Sequence, residues 1–308
     1  MSRSSPYPLD QTFTHTAQTH TSTVHWTRIG SSSLPTLIFI HGTPWSSFVW
    51  HNLTSTLLSR YCIYLYDHPG FGLSPAPQRT SSASSTTDDE AEDLDPSLTL
   101  RAQASAALIE SWNLPTTPHI IAHDNGGLVS LRLLLQHDIK FASLCLIDVV
   151  VLPNAEKLPF FHLVAKNTDV FTSIPPHLLE GLIRGYVRSA TFHPLPSETE
   201  DTLSVPWCEG GKQGNKAFVR EMVQASKRDT LGLESEYSRV SEMVPTKIIW
   251  GRDDKWLPNE IAGRLGEALG VGSEDVIVVE DAGHLIHYDQ PSRLAVEVGL
   301  WLDRHNKS

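Results

Sequence analysis

The feature that most constrains the fold is a series of short apolar runs rich in β-branched residues. They are Thr36–His41 (TLIFIH), Cys62–Tyr66 (CIYLY), His119–Ala122 (HIIA), Ser143–Val151 (SLCLIDVVV), Lys247–Trp250 (KIIW) and Asp275–Glu280 (DVIVVE). Such runs are apolar at successive positions, so both faces of each strand must be covered, as in a parallel sheet. Helical patterns lie between most of them, at Phe48–Arg60, Leu98–Trp112, Gly126–Gln136, Asn259–Leu269 and Ser292–Arg304. This alternation predicts an α/β class with a doubly wound, mostly parallel sheet and helices on both faces. Val24–Ile29 alternates instead, and with the threonine-rich segment before it predicts an antiparallel hairpin leading into the sheet.

Two stretches interrupt the alternation. Residues 78–97 are polar, acidic and low in complexity, which predicts a mobile surface loop. The second is the long gap between Val151 and Lys247, with amphipathic patterns at Phe160–Phe171, Pro176–Ser189 and Lys216–Ser226. An insertion after one strand of a doubly wound sheet predicts a helical lid over the strand C-termini, where ligands bind in such sheets. The division expected is a polar N-terminal segment 1–23, a core of 24–151 and 246–308, and a lid of 152–245.

Charge narrows the function classes. Of a net charge of −11, six negative charges fall in the run Asp88–Asp95, so the remainder is only mildly acidic. Nucleic-acid binding needs a basic footprint, and none is visible. No stretch approaches the ~20 apolar residues that span a bilayer, and the first thirty residues carry no apolar leader pattern. Cys62, Cys145 and Cys208 have neither disulfide nor metal spacing, which fits buried thiols in a reducing compartment. The expectation is a cytoplasmic protein acting on a small molecule, without metal or organic cofactor; a homodimer is left open.

Four segments carry chemistry. In Ala122-His123-Asp124-Asn125-Gly126-Gly127 an apolar strand runs directly into a helix. A sharp turn there presents one side chain above the sheet, and the small residues after it let the helix pack close. This is the logic of a nucleophile elbow, with Asp124 at the presented position. Its other reading is a helix cap. In His41-Gly42-Thr43-Pro44-Trp45, the turn after TLIFI aims the Thr43 N–H into the same place, where it and the Asn125 N–H would form an oxyanion hole. Trp45 either lines the pocket or packs in the core. Asp254 follows the KIIW strand in Gly251-Arg252-Asp253-Asp254, and His284 follows the last strand in Asp281-Ala282-Gly283-His284. Nucleophile, acid and histidine thus fall in the α/β-hydrolase chain order, each just after a strand. Rivals are Asp253 or Asp148 for the acid and His287 for the base; His68 is expected to stabilise a turn.

From about residue 24 to 303 the chain resembles the α/β-hydrolase superfamily, nearest its aspartate-nucleophile branch of epoxide hydrolases and haloalkane dehalogenases. HGTPWSSFVW, YDHPGFGLS, AHDNGG, WGRDDKWLP and DAGHLIHYDQP carry the resemblance. It implies Asp124 as nucleophile, His284 as water-activating base, Asp254 as orienting acid, and Thr43 and Asn125 as oxyanion donors. Dehalogenases usually have Asn after HG and Trp after the nucleophile as halide donors, where this chain has Thr43 and Asn125. Epoxide hydrolases usually have an aromatic after HG and the same Trp, and take two protonating tyrosines from the lid, for which Tyr186 and Tyr237 are the candidates.

A carboxylate needs no base to be ionised at neutral pH and can displace a leaving group from saturated carbon. The resulting Asp124 ester would then be hydrolysed by a histidine-activated water. That chemistry suits epoxides first, since the halide donors are replaced and lid tyrosines are present. Alkyl halides are the alternative, and a base-catalysed elimination, isomerisation or cyclisation is a third.

Overall fold

Burial on both faces drives the apolar runs into one sheet. A computed structural model describes residues 6–80, 97–152, 159–209, 212–223 and 232–306. Its strands are β1 (Gln11–Thr16), β2 (His20–Ile29), β3 (Thr36–Ile40), β4 (Cys62–Tyr66), β5 (Gln78–Arg79), β6 (His119–His123), β7 (Ser143–Ile147), β8 (Thr246–Gly251) and β9 (Val276–Val279). They lie in the order β1-β2-β4-β3-β6-β7-β8-β9, with the short β5 on β2. All neighbours from β4 to β9 along this order are parallel. β2 is antiparallel to both β1 and β4. Every residue of β3, β4, β6, β7 and β8 is buried, which is what their unbroken apolar sequences require.

The core helices are α1 (His51–Leu57), α2 (Leu98–Ser111) and α3 (Asn125–Gln136), followed after the insertion by α10 (Glu260–Leu269), α11 (Ile286–Asp289) and α12 (Pro291–His305). Between β7 and β8 the chain leaves the sheet for a helical lid of α4 (Pro159–Lys166), α5 (Thr168–Ser173), α6 (Pro176–Ser189), α7 (Ser197–Cys208) and α8 (Lys212–Val223). A 3-10 turn at Glu234–Arg239 and α9 (Val240–Met243) return it. This is the α/β-hydrolase fold, doubly wound and mostly parallel, with an inserted helical lid.

The structure departs from the sequence reading at three places. Residues 11–16 and 20–23 form β1 and the start of β2, the antiparallel hairpin expected before the sheet, so the boundary placed at residue 23 falls inside β2. Their threonines are β-branched and suit a strand, while the outer position of β1 leaves them half in water, so they lack an apolar signature. Phe160–Phe171 is two helices, interrupted at Asn167. α7 includes Pro206, a residue that reads as a breaker but is tolerated near this helix's end. The acidic run 88–95 lies outside the described residues.

Candidate active site

Asp124 sits in the turn between β6 and α3, with φ 54° and ψ −128°. A non-glycine residue held there is strained, and such strain is tolerated where the surroundings over-determine it. Two glycines do so here. A Cβ on Gly126 would lie 2.4 Å from the Ile40 carbonyl oxygen, so only glycine lets α3 begin against β3. A Cβ on Gly42 would lie 2.2 Å from Asp124 Oδ1, so the turn after β3 can pass the carboxylate only without a side chain. The passing backbone then donates from Thr43 N to Asp124 Oδ1 at 2.6 Å.

Across the sheet edge, the turn after β9 presents His284. Its Nδ1 donates to Asp254 Oδ2 at 2.9 Å, and Asp254 Oδ1 accepts the backbone N–H groups of Trp256 and Leu257 at 2.7 and 2.9 Å. Its Nε2 lies 3.2 Å from Asp124 Oδ2, close enough for charge attraction but poorly aligned for a hydrogen bond. His123 donates from Nε2 to the His284 carbonyl at 2.9 Å and so fixes the base from below. Burial opposes a charged imidazole, but Asp254 and Asp124 outweigh it and push the His284 pKa up to about 10. The resting imidazole is therefore a cation between two carboxylates.

The rivals are sorted by the same contacts. Asp148 Oδ1 accepts Gly251 N at 2.8 Å, and its Oδ2 has no hydrogen-bond partner. Burial, then the neighbouring Asp254, raise its pKa well above the usual carboxylate range. His287 is packed against Trp50 and His123 with both ring nitrogens unpartnered, and burial lowers its pKa to about 3. His68 ties the turn after β4 to His41, through its N–H to His41 Nε2 at 2.9 Å and its Nε2 to the His41 carbonyl at 3.1 Å.

The lid tyrosines part company. Tyr186, on α6, stacks on Trp256 at 4.0 Å between centroids, and its buried hydroxyl has no partner. Burial first, then Asp124 and Asp254, raise its pKa well above 10.0, so it is a neutral phenol near the dyad. Tyr237 is elsewhere: its hydroxyl donates to the Val151 carbonyl at 2.6 Å. Of the two, Tyr186 therefore packs beside the His284 site with its hydroxyl unspent, and Tyr237 does not. Trp45 is buried and stacks on Trp256 at 5.5 Å, with His284 6.5 Å away, so it borders the dyad.

Two contributors had no role in the sequence reading. Trp256 lies between Tyr186 and His284, and Asp289 accepts the N–H groups of Gly283, Phe192 and His193 at 2.8–2.9 Å. Their positions in WGRDDKWLP and DAGHLIHYDQP, two and five residues after the acid and the base, were the only signal. Among the described residues, no group of three or more His, Cys, Asp or Glu side chains is placed to hold a metal ion. No helix among them is long and apolar enough to cross a membrane.

Comparison with known proteins agrees with this geometry at the level of the family. Residues 37–298 match the family described as "Alpha/beta hydrolase family". The chain is 33% identical to the pimeloyl-(acyl-carrier protein) methyl ester esterase of Aeromonas hydrophila, over 84% of this chain and 92% of that protein. It is 22% identical to epoxide hydrolase 1 of Caenorhabditis elegans, over 92% of this chain and 68% of that protein. The crystal structure of an alpha/beta hydrolase fold protein from Burkholderia ambifaria superposes with a TM-score of 0.80 at 28% identity, covering 94% of this chain and 97% of that one. With the fold, the chain order of Asp124, Asp254 and His284 and a family match across most of the length, the chain belongs to the alpha/beta hydrolase family and is an α/β-fold hydrolase.

Proposed function

We propose that this hydrolase opens an epoxide on a small apolar molecule through a covalent ester of Asp124. The observation that carries the proposal is the pairing of a carboxylate at the elbow with the unpartnered phenol of Tyr186. Asp124 attacks a ring carbon, the C–O bond breaks, and Tyr186 gives its proton to the ring oxygen; the His284 imidazolium, no longer facing the Asp124 charge, then returns a proton to the phenolate and becomes neutral. His284 then takes a proton from water, whose oxygen adds to the Asp124 ester carbonyl. The Thr43 and Asn125 N–H groups stabilise the oxyanion; on collapse the departing alkoxide takes the His284 proton to give the diol, and the Asp124 acid passes its own proton to His284, restoring carboxylate and imidazolium. Asp254 holds the imidazole in the productive tautomer. Asp148 and Tyr237 have no step in this scheme.

The likeness to the nematode epoxide hydrolase supports the reading. The esterase likeness does not extend to chemistry at this elbow, because an ester attacked by Asp124 at its carbonyl would give an anhydride. Dehalogenation is the alternative: a halide needs N–H donors and no acid, and neither Thr43 nor Asn125 offers an indole.

A single turnover in oxygen-18 water tests the covalent step. The label is expected in Asp124 and not in product, because the product oxygen comes from the carboxylate. Label in the first-turnover product would remove Asp124 as nucleophile. His284→Gln is expected to accumulate an Asp124 adduct by mass spectrometry with an epoxide panel. Release of halide from an alkyl halide panel, without diol from the epoxides, would favour dehalogenation.

A further inference from the structure

Trp256 makes four contacts that no other residue near the dyad combines. Its backbone N–H donates to Asp254 Oδ1 at 2.7 Å. Its ring stacks on the His284 imidazole at 4.7 Å and 30°. It also stacks on Tyr186 at 4.0 Å and 9°. Its indole N–H donates to Ser189 Oγ at 2.9 Å, and Ser189 in turn donates to the Tyr186 carbonyl at 2.6 Å. Acid, base, lid phenol and the C-terminal turn of α6 therefore meet on one buried side chain.

The contacts around it point the same way. Just past α6 the Ala190 carbonyl accepts the Leu285 N–H at 2.8 Å, and the Phe192 and His193 N–H groups donate to Asp289. The end of α6 is thus fastened to the His284 turn on both sides of the ring. An indole face carries negative charge density and attracts a cation held over it, most strongly away from water. His284 is such a cation, packed on that face.

We propose that Trp256 is a positioning residue through which the lid helix α6 holds the base: its backbone orients Asp254, its ring face holds the His284 imidazolium, and its indole N–H ties both to Ser189. The ring sets the proton affinity of His284 together with the groups that face it. These are Asp124 and Asp254 at its nitrogens, Asp148 behind Asp254, and His123 and His287 below. The consequence for turnover rests on the reading of His284 as the base that hydrolyses the Asp124 ester.

The test separates ring electronics, ring shape and lid tether. The His284 imidazole is titrated by NMR in histidine-labelled free enzyme, assigned by difference against His284→Gln. Trp256→Leu is expected to lower its midpoint by about one unit and to slow decay of the Asp124 ester by about tenfold or more through misplacement. Trp256→Phe keeps a ring and is expected to hold the midpoint near that of the unmodified protein. Pentafluorophenylalanine at position 256 keeps that shape but reverses the charge on the face, and is expected to lower the midpoint as leucine does. Ser189→Ala is expected to leave the midpoint in place and to raise KM, since only the tether is lost. An unchanged midpoint in the leucine variant, or identical midpoints for phenylalanine and its pentafluoro form, overturns the proposal. Should the leucine variant not fold, the phenylalanine pair decides alone. The titration needs no substrate, so failure to trap an Asp124 adduct would remove the covalent reading without touching this result.

Discussion

Asp254 and Asp124 approach opposite nitrogens of His284, at 2.9 and 3.2 Å, and together keep the imidazole protonated up to about pH 10. A histidine whose folded pKa lies above its unfolded value of about 6.5 stabilises the protein fully below that value. The contribution is lost as pH rises towards 10. Unfolding midpoints in urea are therefore expected to fall between about pH 6.5 and 10, and to fall less steeply in His284→Gln. Turnover depends on the same proton in the opposite sense. In the proposed reaction, alkylation would make Asp124 a neutral ester and remove one of the two charges that hold the proton, so the imidazole would become a base only once the ester exists. The pH midpoint for decay of a trapped adduct is expected below that of free-enzyme His284. Equal midpoints would mean that Asp124 does not hold the proton. Asp254→Asn is expected to slow turnover by up to about 10⁴, as loss of an orienting acid does, and Asp148→Asn to slow it far less, because Asp148 makes no hydrogen bond to the imidazole nitrogens.

The elements decide what identical residues do. Tyr186 is on α6 and faces Trp256, whereas Tyr237 is in the turn leading back to β8, with its hydroxyl spent on Val151. Tyr186→Phe is expected to cut the alkylation step by about 10²–10⁴ with little change in stability. Tyr237→Phe is expected to leave chemistry intact and to cost roughly 1–3 kcal/mol, because the buried Val151 carbonyl loses its donor. Stopped-flow tryptophan quenching and urea unfolding read the two effects separately. The sequence had offered both tyrosines equally, since an amphipathic pattern says which face is buried but not against what. The strands were legible because β3, β4, β6, β7 and β8 each carry an apolar run at successive positions. The meeting of Asp124, Asp254 and His284 was legible because each follows a strand, and the sheet brings those strand ends to one edge. What was not legible depends on how the lid packs: the ring of Trp256 and the carboxylate of Asp289 carry no periodic signal.

At the scale of the molecule, lid and core are joined by a charge pair that no local pattern marks. Arg101 on α2 pairs with Glu221 on α8, residues 120 apart in the chain, with side chains 3% and 2% exposed. Arg220 adds a second contact to Glu221 at 2.7 Å, and the Arg101 guanidinium lies 4.4 Å over the Phe71 ring. Phe71 packs edge-on to Trp207 of α7, whose indole N–H donates to the Pro44 carbonyl beside Thr43. The pair therefore closes a path from lid to oxyanion turn. Desolvation cancels much of the attraction in a buried ion pair, so its net worth is small, but removing one partner strands the other charge. Glu221→Leu is expected to cost about 3–5 kcal/mol in urea unfolding, and Arg101→Met less, because Arg220 still pairs with Glu221. The double variant Arg101→Met/Glu221→Leu is expected to recover most of that loss, since neither charge is left buried alone. A strongly coupled cycle of this kind would identify the pair as a device for seating the lid in one place. Additive losses in the double variant would mean that each side chain is held by its other neighbours, and the lid's position would then rest on the aromatic contacts of Trp207 and Trp256.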